Sequence, residues 1–154
     1  MSDKKSLCIK ALIELSKTTK FEEITVLDLT KMAGVKRTTF YYNFASIRDV
    51  IRCYFLDFPL TNTHLIGDVT RLIESIVRRF DTDGDFILEL INQKVYRDIV
   101  LEVVNAWAFL FFKKNTSDKS LATFLAGGFS SLFIEIYVSK EKNFSKIDQL
   151  IRFH

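Results

Sequence analysis

A single proline, Pro59, and five glycines interrupt a chain of 154 residues whose apolar side chains recur at intervals of three and four. Proline removes a backbone donor and clashes with the preceding turn, and glycine adds a backbone-entropy cost to helix formation. A chain so poor in both can stay helical over long stretches. The clearest stretch is Ile47, Val50, Ile51, Tyr54, Phe55 and Phe58, whose spacing marks one face of a helix. Pro59 ends it, because the residue before a proline is pushed away from helical dihedrals. Val69, Leu72, Ile73, Ile76, Val77 and Phe80 repeat the pattern in a helix over about 69–80. No strand-like alternation competes, so the predicted fold class is all-α.

The other helices follow from the same signals. Leu7, Ala11, Leu12 and Leu15 trace a face of a first helix over about 4–18. Thr25 and Asp28 have the spacing of a capping box, opening a second helix with Val26, Leu29 and Ala33 on its apolar face. Gly34 stops that helix, and a short third one covers about 37–43. Ser46 caps the fourth. Beyond residues 59–67, the best internal boundary, come short helices near 85–91 and 144–153. Between them lie a long helix near 94–113, with Val95, Ile99, Val103, Trp107 and Leu110 as its face, and another over 119–139. The count is nine helices in two blocks, 1–56 and 57–154, with the fourth helix as the link.

Hydrophobic residues make up 48% of the chain, enough for a sizeable core. The net charge of +3 identifies no partner, but its distribution is informative. Residues 1–52 carry ten Lys/Arg against six Asp/Glu, whereas the remainder is slightly acidic. Cys8 and Cys53 both fall on apolar helical faces and are expected to be buried thiols rather than a disulfide. The N-terminus lacks a secretory apolar core, which makes the cytoplasm the expected location. Residues 121–138 hold one charge, Glu135, and reach the lower edge of a membrane-spanning length. Thr123, Ser130 and Ser131 dilute the segment, so a buried interface helix is expected and no membrane partner.

The basic excess surrounds GVKRTTFYYNF, residues 34–44. On a helical wheel Phe40 and Phe44 share one face, Thr38 and Tyr42 point almost oppositely, and Thr39 and Tyr41 lie on the flanks. The Phe pair is therefore expected to pack inward and the hydroxyls to face out. Arg37 projects from the N-terminal end. Hydroxyls beside a basic helix tip suit phosphate oxygens, and a short helix seated by Phe can enter a major groove. The preceding helix, the Gly34 turn and this helix form a helix-turn-helix. The plainer reading of the same residues is a surface helix with incidental tyrosines.

Phe21-x-x-Ile-Thr-Val-x-Asp-Leu-x-x-Met-Ala-Gly-Val35, then Thr38-Thr-Phe-Tyr-Tyr-Asn-Phe44, then Ser46-Ile-Arg-Asp-Val50 resembles the DNA-binding domain of TetR-type transcriptional regulators, over about residues 7–56. The resemblance implies a homodimer that binds a double-stranded DNA operator, with a C-terminal helical domain that binds a small-molecule effector and dimerises through its last two helices. It implies that Thr25 caps the motif's first helix, that Thr39 and Tyr41 contact phosphates, and that Arg37, Thr38 and Tyr42 face the groove. Phe40, Phe44, Val35 and Ala33 would be core. This chain departs from the pattern at three places. Lys36 stands where a small capping residue is usual. Asn43 replaces a commoner His or Tyr and keeps a donor for phosphate. Ile47 replaces a Lys that touches phosphate, and Arg48 beside it takes that contact from another angle. The function read here is a ligand-responsive DNA-binding regulator, with repression as the expected sign. A helical protein–protein adaptor or coactivator that kept the fold without specific DNA binding is the alternative, and Asn43 and Ile47 favour it.

Elsewhere the signals are weaker. DTDGD, residues 81–85, lacks the glycine and glutamate positions of a calcium loop and reads as a helix-linking turn. His64 and His154 stand apart from any metal-ligand spacing, and no nucleophile–base pair or Gly-rich phosphate loop appears, so neither a cofactor nor an enzyme is expected. Trp107, Phe109 and Phe129 fill a solid core or border an effector pocket, with Glu102 and Asn105 as polar groups inside the same long helix. Phe124, Gly127, Gly128, Ser131 and Ile134, with Ile147, Leu150 and Ile151, form the expected dimer interface.

Overall fold

The computed structural model of the chain describes residues 3–56 and 68–151. Among the described residues there are nine α-helices, one 3-10 turn at Phe21–Glu23, and no strand. The helices are α1 (Asp3–Ser16), α2 (Val26–Ala33), α3 (Arg37–Asn43), α4 (Ile47–Leu56), α5 (Val69–Asp81), α6 (Gly84–Asn92), α7 (Lys94–Asn115), α8 (Lys119–Val138) and α9 (Ser145–Ile151). The all-α expectation holds. Phe58, Pro59, the boundary at 59–67, His64, the last residues expected in α9 and His154 lie outside the described residues.

The chain divides into two compact units, Met1–Pro59 with Asp85–Ile99, and Leu60–Gly84 with Val100–His154. The sequence pattern placed everything after residue 56 together. The structure groups α6 and the start of α7 with the first unit instead, and aromatic contacts explain why. Phe21, fully buried, meets Phe86 at 5.6 Å and Tyr96 at 5.5 Å between ring centroids, and Tyr54 meets Phe86 at 5.0 Å.

Within the first unit, α1 packs against α2, α3 and α4. Its buried face is Cys8, Ile9, Ala11 and Leu12, while Leu7 is exposed and Leu15 half-buried. The expected face is thus rotated by about one position, because α1 touches three helices rather than one. Cys8 and Cys53 form no disulfide, and burial pushes the Cys8 thiol pKa up. The α2 capping box forms as expected. Thr25 Oγ1 accepts from the Asp28 N–H at 3.1 Å, and Asp28 Oδ2 accepts from the Thr25 N–H at 3.1 Å. Hydrogen bonding to the Thr25 side chain first, and to the Thr25 N–H second, holds the Asp28 carboxyl below its ordinary pKa, so the carboxylate half of the box is complete above the usual carboxylate range and is lost as pH falls through the lowered value. Gly34, at φ 68° and ψ 31°, ends α2 in the left-handed region. The following Val35 N–H reaches back to the Thr30 carbonyl at 3.1 Å, closing the helix end and aiming the chain into α3.

In the second unit, Asp68 caps α5 and Asp118 caps α8 through backbone N–H groups. The core is a run of rings. Phe129, Phe133 and Tyr137 stack one turn apart along α8, at 5.8 Å and 6.1 Å, and Phe80 of α5 meets Phe133 at 5.8 Å and Trp107 at 6.4 Å. Tyr137, buried, donates its hydroxyl to Asp81 Oδ1 at 2.9 Å. Helix α7 contributes to both units: in the first Ile99 is buried and Val95 exposed, and in the second Val100, Val104, Trp107, Ala108, Phe111 and Phe112 are buried, Val103 half-buried and Leu110 exposed. Here too the expected face is displaced. Helix α8 is the one described helix long and apolar enough to cross a membrane, and its face from Ala122 to Tyr137 is buried inside the unit, as in a core helix.

A Cβ at Gly34 meets no neighbouring atom, so the cost of a substitution there comes from its backbone alone. Gly34→Ala is expected to lower unfolding free energy by about 1–2 kcal/mol, measured by denaturant titration.

Candidate nucleic-acid interface

Helix α3 is seven residues long and is seated by two rings. Phe40 is 0% exposed and Phe44 is also buried, with centroids 5.3 Å apart. Val35, expected in the core, is half-buried at the turn. On the opposite side Lys36, Arg37, Thr38, Tyr41 and Tyr42 are exposed, Tyr42 by 90%, and Thr39 and Asn43 are half-buried on the flanks. The wheel derived from sequence therefore places inward and outward residues correctly. Lys36 occupies the N-cap position without a side-chain capping bond, so the first amides of α3 depend on outside partners. Asn43 Nδ2 donates to the Thr39 carbonyl at 2.8 Å, which fixes its side chain against the helix and leaves its second amide hydrogen. Thr25 is exposed at the start of α2. A surface results with four hydroxyls and one cation on one short helix, Lys36 just before it and an aromatic anchor behind it.

Arg48 has a different placement from the one its sequence position implied. Its guanidinium donates to Asp98 Oδ2 at 2.7 Å and to the Val95 carbonyl, and lies 5.9 Å from the Tyr96 ring centroid. All three partners belong to the first turns of α7. The residue ties α4 to that segment, and half-buried Ile47 beside it offers no cation in compensation. Nothing in local sequence spacing links positions 48 and 98, so this contact had no signal in the sequence.

The other sequence-derived sites are redistributed. Glu102 and Asn105 are exposed rather than enclosed in an apolar helix. Trp107 and Phe129 are buried in the ring core, and Phe109 is half-buried with the Lys113 ammonium 5.9 Å from its centroid. The five residues thus do not share one environment. Of the expected interface, Phe124 is 70% exposed, and Gly127, Gly128, Ser131 and Leu150 are exposed as well. Ile151 is half-buried, but Ile134 and Ile147 point inward and are buried within the unit. A groove of about 300 Å³ runs along this face between Phe124, Gly128, Leu132, Leu150 and Ile151. Of residues 81–85, Asp81 ends α5, Thr82 and Asp83 form the turn, and Gly84 and Asp85 open α6; among the described residues no three His, Cys, Asp or Glu side chains cluster to hold a metal.

No family model matches the chain, and no curated protein does. The chain is similar to the solved structure of the dihydroxyacetone kinase operon activator DhaS, at 18% sequence identity, covering 96% of this chain and 93% of that one with a TM-score of 0.63. At that identity the likeness is one of fold.

The Arg48–Asp98 pair is partly exposed, with side-chain exposures of 31% and 65%, so its contribution is modest. Arg48→Ala and Asp98→Asn are each expected to cost roughly 0.5–1 kcal/mol in thermal unfolding. The double variant should cost less than their sum, which a double-mutant cycle measures.

Proposed function

We propose that the chain is a sequence-specific DNA-binding transcription regulator of the TetR type, acting in the cytoplasm as a homodimer on a double-stranded operator and responding to a small-molecule effector. The observation that supports this most is the division of α3 into a buried Phe face and an exposed hydroxyl and cation face. Thr25, Thr39, Tyr41, Lys36 and Asn43 take backbone phosphates, where a donor adds affinity without reading sequence. Arg37, Thr38 and Tyr42 meet base edges. The shared fold with a protein named as an operon activator supports a regulatory role. Repression is the sign expected from the sequence reading and activation is what the neighbour's name states; a promoter–reporter fusion distinguishes them.

The engagement of Arg48 with α7 favours a second reading, an adaptor that keeps the fold and has lost phosphate contacts. Enrichment of genomic DNA fragments by the purified protein, followed by affinity measurement at two salt concentrations, separates the readings. A regulator shows sequence preference and a steep loss with salt, because each neutralised phosphate releases counterions; an adaptor shows neither. On the preferred fragment, Tyr42→Ala is expected to cost roughly 1–3 kcal/mol and to relax preference at one or two base pairs, read out on a randomised operator library.

The homodimer is assigned to the exposed faces of α8 and α9. A Cβ at Gly127 or Gly128 meets nothing within 4 Å inside one subunit, so a side chain can start there without displacing a neighbour. Gly128→Leu and Ile151→Asp are expected to convert dimer to folded monomer in sedimentation at micromolar concentration. A monomeric unmodified chain under the same conditions removes this interface.

A further inference from the structure

Arg37 and Tyr41 stand four residues apart on α3, so their side chains lie on adjacent turns of one face. The Arg37 guanidinium carbon is 5.8 Å from the Tyr41 ring centroid, within the range of a cation–π contact. The ring beneath it is itself held. Tyr41 is 49% exposed, and its ring meets Phe40 edge-on at 5.3 Å and 89°. Phe40 is fully buried and packs on Phe44. A line of contacts therefore runs from the core of the first unit, through Phe40 and Tyr41, to the charge on Arg37.

We propose that Tyr41 is a positioning residue for Arg37, its ring serving as a platform that presents the guanidinium to the edge of one base in the operator. The proposal rests on the DNA-binding reading above. Arginine on an open helix surface has many rotamers, and ordering it on binding opposes affinity. A guanidinium held near the ring has fewer to lose. When it lies flat over the ring, its in-plane N–H groups stay free, which is the geometry needed to donate twice to guanine O6 and N7. The Tyr41 hydroxyl remains available for phosphate, so ring and hydroxyl perform separable tasks. Tyr42, at 90% exposure, lacks this anchoring and is the more adaptable of the two tyrosines.

The test uses the full chain and its preferred fragment, with Arg37→Ala, Tyr41→Leu, Tyr41→Phe and the double variant Arg37→Ala/Tyr41→Leu. Tyr41→Phe keeps the platform and loses the hydroxyl, so it should weaken all fragments alike and preserve base preference. Tyr41→Leu should weaken the preferred fragment by about two- to fivefold beyond Tyr41→Phe, the range of an exposed cation–π contact. It should also relax the same base pair that Arg37→Ala relaxes, and its extra loss should vanish in the Arg37→Ala background. In the free protein, Arg37 side-chain proton resonances should be shifted upfield by the ring in the unmodified chain and in Tyr41→Phe, and return to ordinary positions in Tyr41→Leu. Independent effects of Tyr41→Leu and Arg37→Ala overturn the positioning role. So does a drop of about one in salt slope for Arg37→Ala with base preference intact, since that marks a phosphate contact. If the unmodified chain enriches no fragment at all, the DNA reading fails and this role fails with it, whatever the resonances show.

Discussion

The burial of Phe40 is the constraint on which the rest of the candidate interface depends. A helix of seven residues is too short to sustain itself in water, because nucleation fixes several residues for the first hydrogen bond. Helix α3 persists because Phe40 and Phe44 are withdrawn from solvent in a unit built around α1. Once those two rings are fixed, helical geometry settles where every other side chain of α3 points. The outward direction of Thr38 and Tyr42, the flank position of Tyr41 and the reach of Arg37 over it all follow from one anchored residue. The Gly34 turn adds the second condition by bringing the chain into α3 at a fixed angle.

The sequence made the helices and the α3 wheel legible because both depend on local spacing and capping chemistry. Thr25, Asp28 and Gly34 act within a few residues of themselves, and their geometry is as expected. The faces of α1 and α7 were less legible. A helix that touches several neighbours buries a wider arc than a single stripe, so Leu7 and Val95 were expected inside and are exposed, while Ile9 and Val100 are buried. Glu102 and Asn105 lie among apolar residues in the sequence yet on the solvent side of the helix. Arg48 was illegible for a different reason. Its partners are some fifty positions away, at Asp98 and Val95, and pairing across that separation leaves no periodicity to read.

Helix α8 combines two surfaces that its sequence composition blurs. One carries Phe129, Phe133 and Tyr137 in a stacked row toward the core. The other carries Phe124, Gly127, Gly128 and Ser131 toward solvent. High hydropathy along the whole segment reflects both, which is why the segment scores like a membrane helix while half of it is a core face. Ile134 belongs to the core side, although its helical spacing from Phe124, Gly127 and Ser131 put it on the expected interface face.

The first unit is assembled from two separated stretches of chain, Met1–Pro59 and Asp85–Ile99. During synthesis the earlier stretch emerges before Phe86 and Tyr96, so the ring contacts of Phe21 and Tyr54 with them form only after α6 and the start of α7 leave the ribosome. Closing that loop adds an entropic step to folding that a contiguous head would not have. The same arrangement limits modular exchange. Transplanting residues 1–56 onto another effector domain would leave behind the rings that cover Phe21 and the carboxylate that holds Arg48. A functional graft has to carry residues 85–99 along with the head, which makes the unit of inheritance larger than the motif it displays.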